Sequence, residues 1–461
     1  MTMSIPRTTK KTVWYLPIEY IETRYSAEWF FYIQSLLARY ASMCTTRDVY
    51  EGSISIEHVQ DKLPSKKKTR GAYEYAVIRV DGLDLKAPNT NGAFINFGTT
   101  NYWKSTQLAA FAECISEGHV KNGDVIYVTD AWNPAILQIR YMLDLLGIKA
   151  EIHAQWHAGY HDKEDQLYKR IQQRERQQSC TGMRNTEAAL FDAIDKNYFT
   201  TEFYLDMFEE NTSAIVKSTS NGNVVRCGYP MSYTHDLPYA QSAVSQALLT
   251  TEFPANGKEE DKDVLFDVVR LYGDFDSPVY NCIHWYNRQE GLAYKDLILF
   301  PHRKADEKMP ELFDELRGAS IFDPRAVKNK RWVSVHDFEQ PLKKREYYNL
   351  LAASRVVVSF AKQETYGISM VEAVMAGAIP VVPDRLSYAE MYIPAFKYSS
   401  YKTFCDLGAG EPNFNYLLET IEYEYLHACD SGYKDRLKEQ KEKLVNEFFG
   451  DMTICKSIIG R

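Results

Sequence analysis

The sequence predicts an α/β protein built on parallel sheets, and three observations carry that prediction. Strand-like and helix-like segments alternate through residues 12–156. Two buried apolar runs, 296–300 and 355–360, each lead into a polar loop and then a helix. Glycines stand where helices should stop, as at Gly147 and Gly377. In doubly wound sheets of this kind, ligands gather at the carboxyl ends of the strands.

Taken in order, residues 12–17 read as a first strand and 27–41 as a helix. Residues 73–80 and 93–97 read as strands, and 105–117 as a helix with Ser105 as its N-cap. A buried strand at 124–129, a helix at 134–146 closed by Gly147 and a strand at 150–156 follow. Residues 165–178 are charged and Gln/Arg-rich, suiting a solvated helix or a lid, and helices at 186–194 and 201–208 flank a short strand at 196–200. Residues 236–293 are acidic and aromatic and read as an insertion; Asp274-Phe-Asp276 within them follows no hydrophobic strand and is rejected as a metal site. Beyond it come strands at 296–300 and 331–335, with helices at 311–317 and 343–354. The stretch 413–449 is long, amphipathic and charged.

At 461 residues the chain has room for two or three cores. A net charge of −8 argues against wholesale electrostatic binding to nucleic acid, although a local basic face is compatible with it. Eight cysteines without a C-x-x-C pair suit free thiols. With no membrane-length apolar run and no signal-peptide core, the expected location is cytoplasmic.

The stretch 359–383 is the most informative. A strand enters a polar loop, a helix runs from about 366 to 376, and a second buried strand follows at 378–382. Ile368, Val371, Val374 and Met375 form an apolar arc, whereas Ser369, Glu372, Ala373 and Ala376 form a small, mostly polar one. Glu364 lies in the loop, eight positions before Glu372. Backbone N–H groups around Gly367, Ile368 and Ser369 open the helix, and its dipole favours an anion there. An anion flanked by two carboxylates that bind sugar hydroxyls is the economical reading. The spacing alone also fits a packing helix with two surface acids.

The setting narrows the choice. Glu364-x7-Glu372 within E-T-Y-G-I-S-M-V-E-A-V-M-A-G-A-I-P-V-V resembles the signature of retaining nucleotide-sugar glycosyltransferases of the two-domain GT-B fold, the glycosyl transferases group 1 or glycogen-synthase-like family. Arg303 and Lys308, after the strand 296–300, resemble the R-x4-K of the same enzymes. The resemblance implies two Rossmann-like doubly wound domains facing across a cleft: an acceptor-side domain at 1–225, a nucleotide-sugar domain at 226–411 and C-terminal helices at 412–461 returning to the first. It implies Glu364 on the donor sugar, Glu372 on the ribose, and Arg303, Lys308 and the N–H groups of Gly367, Ile368 and Ser369 on the leaving diphosphate. Departure of a nucleoside diphosphate leaves about two to three negative charges, which fixed cations must meet where no metal ligand set is visible. No resident cofactor and no metal are expected, and the donor is expected to be a UDP-sugar. His336 and Asp337 lie where the nucleobase is expected.

On the acceptor side, the resemblance points to His157 and Asp130, which join Glu364 as candidate catalytic residues. Glu19, Glu22, Arg24, Trp132 and Asn133 are candidate acceptor contacts at strand ends. Many relatives carry a Gly-Gly loop after the first strand, and this chain has Pro17-Ile-Glu19-Tyr-Ile-Glu22-Thr-Arg24-Tyr25 instead. With Trp132-Asn133 and Trp156-His157, that domain is similar to the DNA-modifying glycosyltransferases of large bacteriophages. The implied acceptor is a hydroxymethylated pyrimidine, 5-hydroxymethylcytosine, in phage DNA, and a phage-encoded chain would work in the host cytoplasm. Basic stretches at 7–11, 65–70 and 169–176 would meet DNA phosphates or form solvated faces. The alternatives are a glycan, lipid or protein acceptor, or a protein that binds sugar nucleotides without turnover.

Overall fold

The computed structural model describes residues 11–21, 24–45, 49–56, 73–85, 96–157, 159–178, 182–212, 222–235, 297–322, 331–338, 342, 344–404, 413–428 and 430–460. The chain forms two units, one of Met1–Pro88, Ile95–Met231 and Phe448–Arg461, the other of Asn89–Phe94 and Ser232–Glu447. Glu22, the insertion with Asp274 and Asp276, and the basic stretch 65–70 lie outside the described residues.

The first unit contains β1 (Lys11–Leu16), α1 (Tyr25–Cys44), β2 (Tyr50–Ile54), β3 (Tyr75–Val80), α2 (Phe97–Ser116), β4 (Val125–Val128), α3 (Ala135–Leu146), β5 (Glu151–Gln155), α4 (Gln166–Gln178), α5 (Gly182–Ala193), β6 (Lys196–Phe199), α6 (Glu202–Thr212) and β7 (Val224–Arg226). Its seven strands are ordered β2-β3-β1-β4-β5-β6-β7, and every pairing is parallel. The central strand β4 reads Val-Ile-Tyr-Val and is buried along its whole length, as expected where helices cover both faces of such a sheet. Trp14, Ile126, Ile152 and Phe199 are fully buried in one cluster with Phe111 and Ile139 of the helices. The Asp124 carboxylate ties the start of the sheet together, accepting from Thr12 N at 2.8 Å and Trp14 Nε1 at 3.0 Å.

Two readings of this region need correction. Asn96 and Phe97 are not the end of a strand: Asn96 caps α2, its Oδ1 accepting from Gly98 N at 2.9 Å and Thr99 N at 3.4 Å. The apolar run Ala93-Phe-Ile resembles a strand in composition, but the cap chemistry of Asn96 decides the local structure. The helix therefore begins at Phe97 and passes through Ser105 without a break. The strand β2, Tyr-Glu-Gly-Ser-Ile, was also missed, being a half-exposed edge strand with a glycine at its centre.

The second unit contains β8 (Leu297–Phe300), α7 (Pro310–Phe322), β9 (Arg331–Ser334), α8 (Lys344–Ala353), β10 (Ser354–Val358), α9 (Ile368–Met375), β11 (Ile379–Pro383), α10 (Tyr388–Met391), β12 (Lys397–Tyr398), α11 (Ser400–Phe404), α12 (Phe414–His427) and α13 (Ser431–Lys443). Its five parallel strands are ordered β12-β11-β10-β8-β9. Ile298, Val356, Val358, Ile379 and Val381 build its core with Leu417 and Ile421 of α12. The stretch 413–449 is thus two helices and a π-helical turn at Leu444–Phe448. The last helix, α14 (Asp451–Ile459), packs in the first unit, where Asp451 accepts from the backbone N of Met231 at 3.1 Å and from the Tyr32 hydroxyl.

These strand orders locate the sites. In the first sheet the chain crosses from β3 past β1 to β4, which makes the β1 and β4 carboxyl ends a topological switch point. In the second sheet β9 lies on one side of β8 and β10 on the other, so the switch point is at the ends of β8 and β10.

Candidate active site

The loops leaving β8 and β10 bring Arg303, Lys308 and Glu364 together in the second unit. After Phe300 the chain passes His302 and Arg303 into a short 3-10 turn, Asp306–Lys308, which Met309 ends in the left-handed region at φ 56°. The turn returns Lys308 toward the β10 loop, where its ammonium donates to Glu364 Oε2 at 3.0 Å, to the Gln363 backbone carbonyl and to Gln363 Oε1 at 3.4 Å. All three ammonium protons therefore have acceptors. Arg303 Nη2 donates to Glu307 Oε1 at 2.6 Å, and the Glu307 side chain is fully buried. The Glu307 carbonyl in turn accepts from Lys362 N at 2.7 Å, locking the turn to the β10 loop.

Glu364 faces opposing influences. Burial pushes its carboxyl upward, but the Lys308 charge, with hydrogen bonds from Lys308 and the Tyr366 backbone, acts in the opposite direction, and the group lies below the ordinary carboxylate range. The carboxylate is ionised at neutral pH. His302 is only 4% exposed, and burial with Lys308 beside it drives its imidazole down to about 3. It is a neutral group among charges.

Helix α9 starts at Gly367, whose φ of 80° lies in the left-handed region. A Cβ there would come within 2.8 Å of the Tyr388 ring, and Tyr388 is fully buried. Gly367 has no side chain with which to cap the helix, and the first turn presents backbone N–H groups at Ile368 and Ser369. Glu372, one turn further on and 3% exposed, is enclosed by phenols. Tyr233 and Tyr348 donate to Oε1 at 2.8 and 3.5 Å, and Tyr347 donates to Oε2 at 3.0 Å.

The acceptor-side candidates lie in the first unit. Glu19 and Asp130 follow β1 and β4, and the strand ends are joined by Ile18 N donating to Thr129 Oγ1 at 2.9 Å. Glu19 accepts from the Thr100 hydroxyl of α2. Asp130 accepts from Lys104 Nζ at 2.6 Å and from Trp132 N at 3.0 Å. Burial raises the Asp130 carboxyl, but the Lys104 ammonium, His157 and the hydrogen bonds from Lys104 and the Trp132 backbone together outweigh it, leaving the group below its ordinary value. His157, after β5, has both ring nitrogens engaged: Nε2 with the Thr129 carbonyl and Nδ1 with the Tyr229 hydroxyl at 2.7 Å. Tyr25, Trp29 and Tyr229 surround the ring. With Nε2 donating to a carbonyl, the neutral tautomer accepts at Nδ1. Asn133 Oδ1 accepts from Ala135 N at 3.1 Å and so serves the start of α3, while the Arg24 backbone begins α1.

Several residues at these sites escaped the sequence reading. Glu307 stands four positions after Arg303, a spacing that suggests an ion pair once a helical turn is recognised. Tyr347 and Tyr348 are adjacent in a helix, and only the packing of α8 on α9 reveals their common target.

No family model matches the chain. Over 51 residues, it is 37% identical to the tRNA-queuosine alpha-mannosyltransferase of Drosophila melanogaster. That match spans 11% of this chain and 14% of the relative, about one seventh of its length. Among solved structures, the sucrose-phosphate synthase of Thermosynechococcus elongatus aligns over 97% of both chains with a TM-score of 0.50 and 13% identity. The N-terminal domain of the Candida albicans trehalose-6-phosphate phosphatase aligns over 97% of this chain and 96% of that one, with a TM-score of 0.49 and 11% identity. Among the described residues, no helix is long and apolar enough to cross a membrane. The two parallel α/β units, aligned over nearly their whole length with the sucrose-phosphate synthase, have the GT-B fold.

Proposed function

We propose that this chain is a retaining glycosyltransferase that moves a sugar from a nucleoside-diphosphate donor, a UDP-sugar, to a hydroxyl acceptor. The observation that carries the reading is the Lys308–Glu364 ion pair at the switch point of the second sheet, beside Arg303 and the uncapped start of α9. A carboxylate kept ionised by a neighbouring ammonium suits a group that accepts hydrogen bonds from sugar hydroxyls. Arg303 brings a fixed positive charge, and with the N–H groups of Gly367, Ile368 and Ser369 it holds the diphosphate. Lys308 fixes Glu364 and adds positive charge at the same point. Glu372 meets the ribose by exchanging phenol hydroxyls for sugar hydroxyls. In the reaction the bond from the anomeric carbon to the phosphate oxygen breaks, and the acceptor oxygen bonds on the same face. Its proton leaves with the departing phosphate. Asp130, His157 and Trp132 line the acceptor side together with Glu19.

The acceptor we propose is a hydroxyl carried by a modified base in nucleic acid, 5-hydroxymethylcytosine in phage DNA. Two observations favour it: the 51-residue likeness is to an enzyme named for a modified base in tRNA, and α4 carries Lys169 and Arg170 in a run rich in basic and amide residues. The test has two parts. Nucleotide release is measured from a panel of UDP- and GDP-sugars, and nucleosides from 5-hydroxymethylcytosine DNA are analysed by mass spectrometry after incubation. Release from one donor with a glycosylated nucleoside supports both parts. Release with an unmodified base leaves a glycan, lipid or protein acceptor, and no release from any donor returns the chain to a sugar-nucleotide-binding role.

A further inference from the structure

Beneath the acceptor-side loops lies a carboxylate whose arrangement assigns it a job. Glu187 belongs to α5, and its side chain is 1% exposed. Its Oε1 accepts hydrogen bonds from Trp132 Nε1 at 2.7 Å, Tyr160 N at 2.9 Å and His161 Nδ1 at 2.8 Å. Trp132 stands in the loop after β4, and Tyr160 and His161 stand in the loop after β5, the next strand of the sheet. One oxygen thus joins a helix to two neighbouring loops. Backbone also passes close by: a Cβ on Gly159 would lie 2.1 Å from Glu187 Oε1 and 2.6 Å from the His161 ring. Only glycine leaves the chain room to turn around the carboxylate.

A buried carboxylate is unfavourable unless its hydrogen bonds are made, and an apolar residue of similar size would fill the space more simply. What Glu187 adds is geometry. Through Trp132 it reaches Asp130, whose Oδ1 accepts from Trp132 N at 3.0 Å, and through Tyr160 N and His161 Nδ1 it holds the 159–161 turn. We propose that Glu187 is a positioning residue for the acceptor side, fixing the Trp132 indole and the turn at 159–161 relative to each other. This rests on the reading that these loops receive the acceptor.

The test compares Glu187→Ala, Glu187→Gln and Gly159→Ala with the wild type. The glutamine keeps an acceptor oxygen for the three donors; alanine removes it, and Gly159→Ala crowds it. Glu187→Ala and Gly159→Ala are expected to raise the acceptor KM about tenfold or more, while donor KM and acceptor-independent donor hydrolysis stay within about twofold. Glu187→Gln is expected to stay within about threefold of wild type in all of these. Amide exchange gives a second readout: peptides over 130–135 and 159–165 should exchange faster in Glu187→Ala and not in Glu187→Gln, with the β4 and β5 strands unchanged. An unchanged acceptor KM in Glu187→Ala, or an equal loss of donor hydrolysis, overturns the proposal. If the wild type releases no nucleotide, the glycosyltransferase reading fails, and exchange alone decides the positioning role: unaltered loop exchange in Glu187→Ala overturns it.

Discussion

Replacing Lys308 by methionine should do more than remove a cation: it should reverse the pH response of its partner. The ammonium lies 3.0 Å from Glu364 Oε2, with side chains 7% and 16% exposed. Losing one member of a buried pair typically costs about 3–5 kcal/mol, and the residual exposure of Glu364 puts Lys308→Met at the lower end, about 3 kcal/mol. Glu364→Gln should cost less, about 1–2 kcal/mol, because Lys308 keeps Gln363 as a partner. In the double variant neither charge remains, so its loss should fall about 2 kcal/mol short of the sum. The signs follow from the depressed carboxyl of Glu364. In the wild type its stabilising contribution is present above the unfolded value near 4.5 and is lost as pH falls through the lower folded value. Burial is already the largest single influence on this carboxyl, and without the Lys308 charge and hydrogen bond to oppose it the folded value is expected to rise above the unfolded one. Protonation then stabilises Lys308→Met, an effect present below about 4.5 and lost as pH rises through the folded value. Urea unfolding of the four proteins from pH 4 to 8 measures both effects. Additive losses, or a Lys308→Met profile parallel to wild type, would refute the reasoning.

Three further outcomes are expected. His302, driven to about 3, stays neutral in the folded chain while its unfolded counterpart protonates below about 6.5; stability should therefore drop as pH is lowered from about 6.5 towards 3, by up to about 1.4 kcal/mol per unit, and His302→Gln should flatten the slope in a urea series. Gly367→Ala places a Cβ against the Tyr388 ring at φ 80°, so a loss of about 2 kcal/mol in urea unfolding and weaker nucleotide binding by calorimetry are expected; wild-type values for both would contradict the tight approach seen here. Excess EDTA should leave nucleotide release within about twofold, since the fixed cations carry the leaving-group charge in the proposed chemistry; a loss restored by Mg2+ or Mn2+ would assign that role to a metal.

Much of the architecture was legible because buried parallel strands are written as unbroken apolar runs, as in Leu297–Phe300 and Val356–Val358. Gly147 and Gly377 marked helix ends correctly, with φ of 66° and 95°. The strand assigned to 93–97 failed in its described part because Asn96 is a cap, a property of one side chain that outweighs the β-propensity around it. At the sites, the loop positions of Arg303, Lys308 and Glu364 were readable because strand ends are. Their partners were not. Glu187 sits three and four positions before the buried Leu190 and Phe191, so a carboxylate on an apolar helix face was the available signal. That Trp132, Tyr160 and His161 converge on it is a tertiary fact.

The phenols around Glu372 bear on how the chain would tell one nucleotide from another. A carboxylate already supplied with three hydroxyl donors gains little when a ribose offers another, because each new bond displaces an old one of similar strength. Recognition at this point becomes a swap at near-constant enthalpy. In the proposed reading, grip on the donor would then come from the phosphates and the base, and removing a single ribose hydroxyl should be felt weakly, the tyrosines simply keeping their hold.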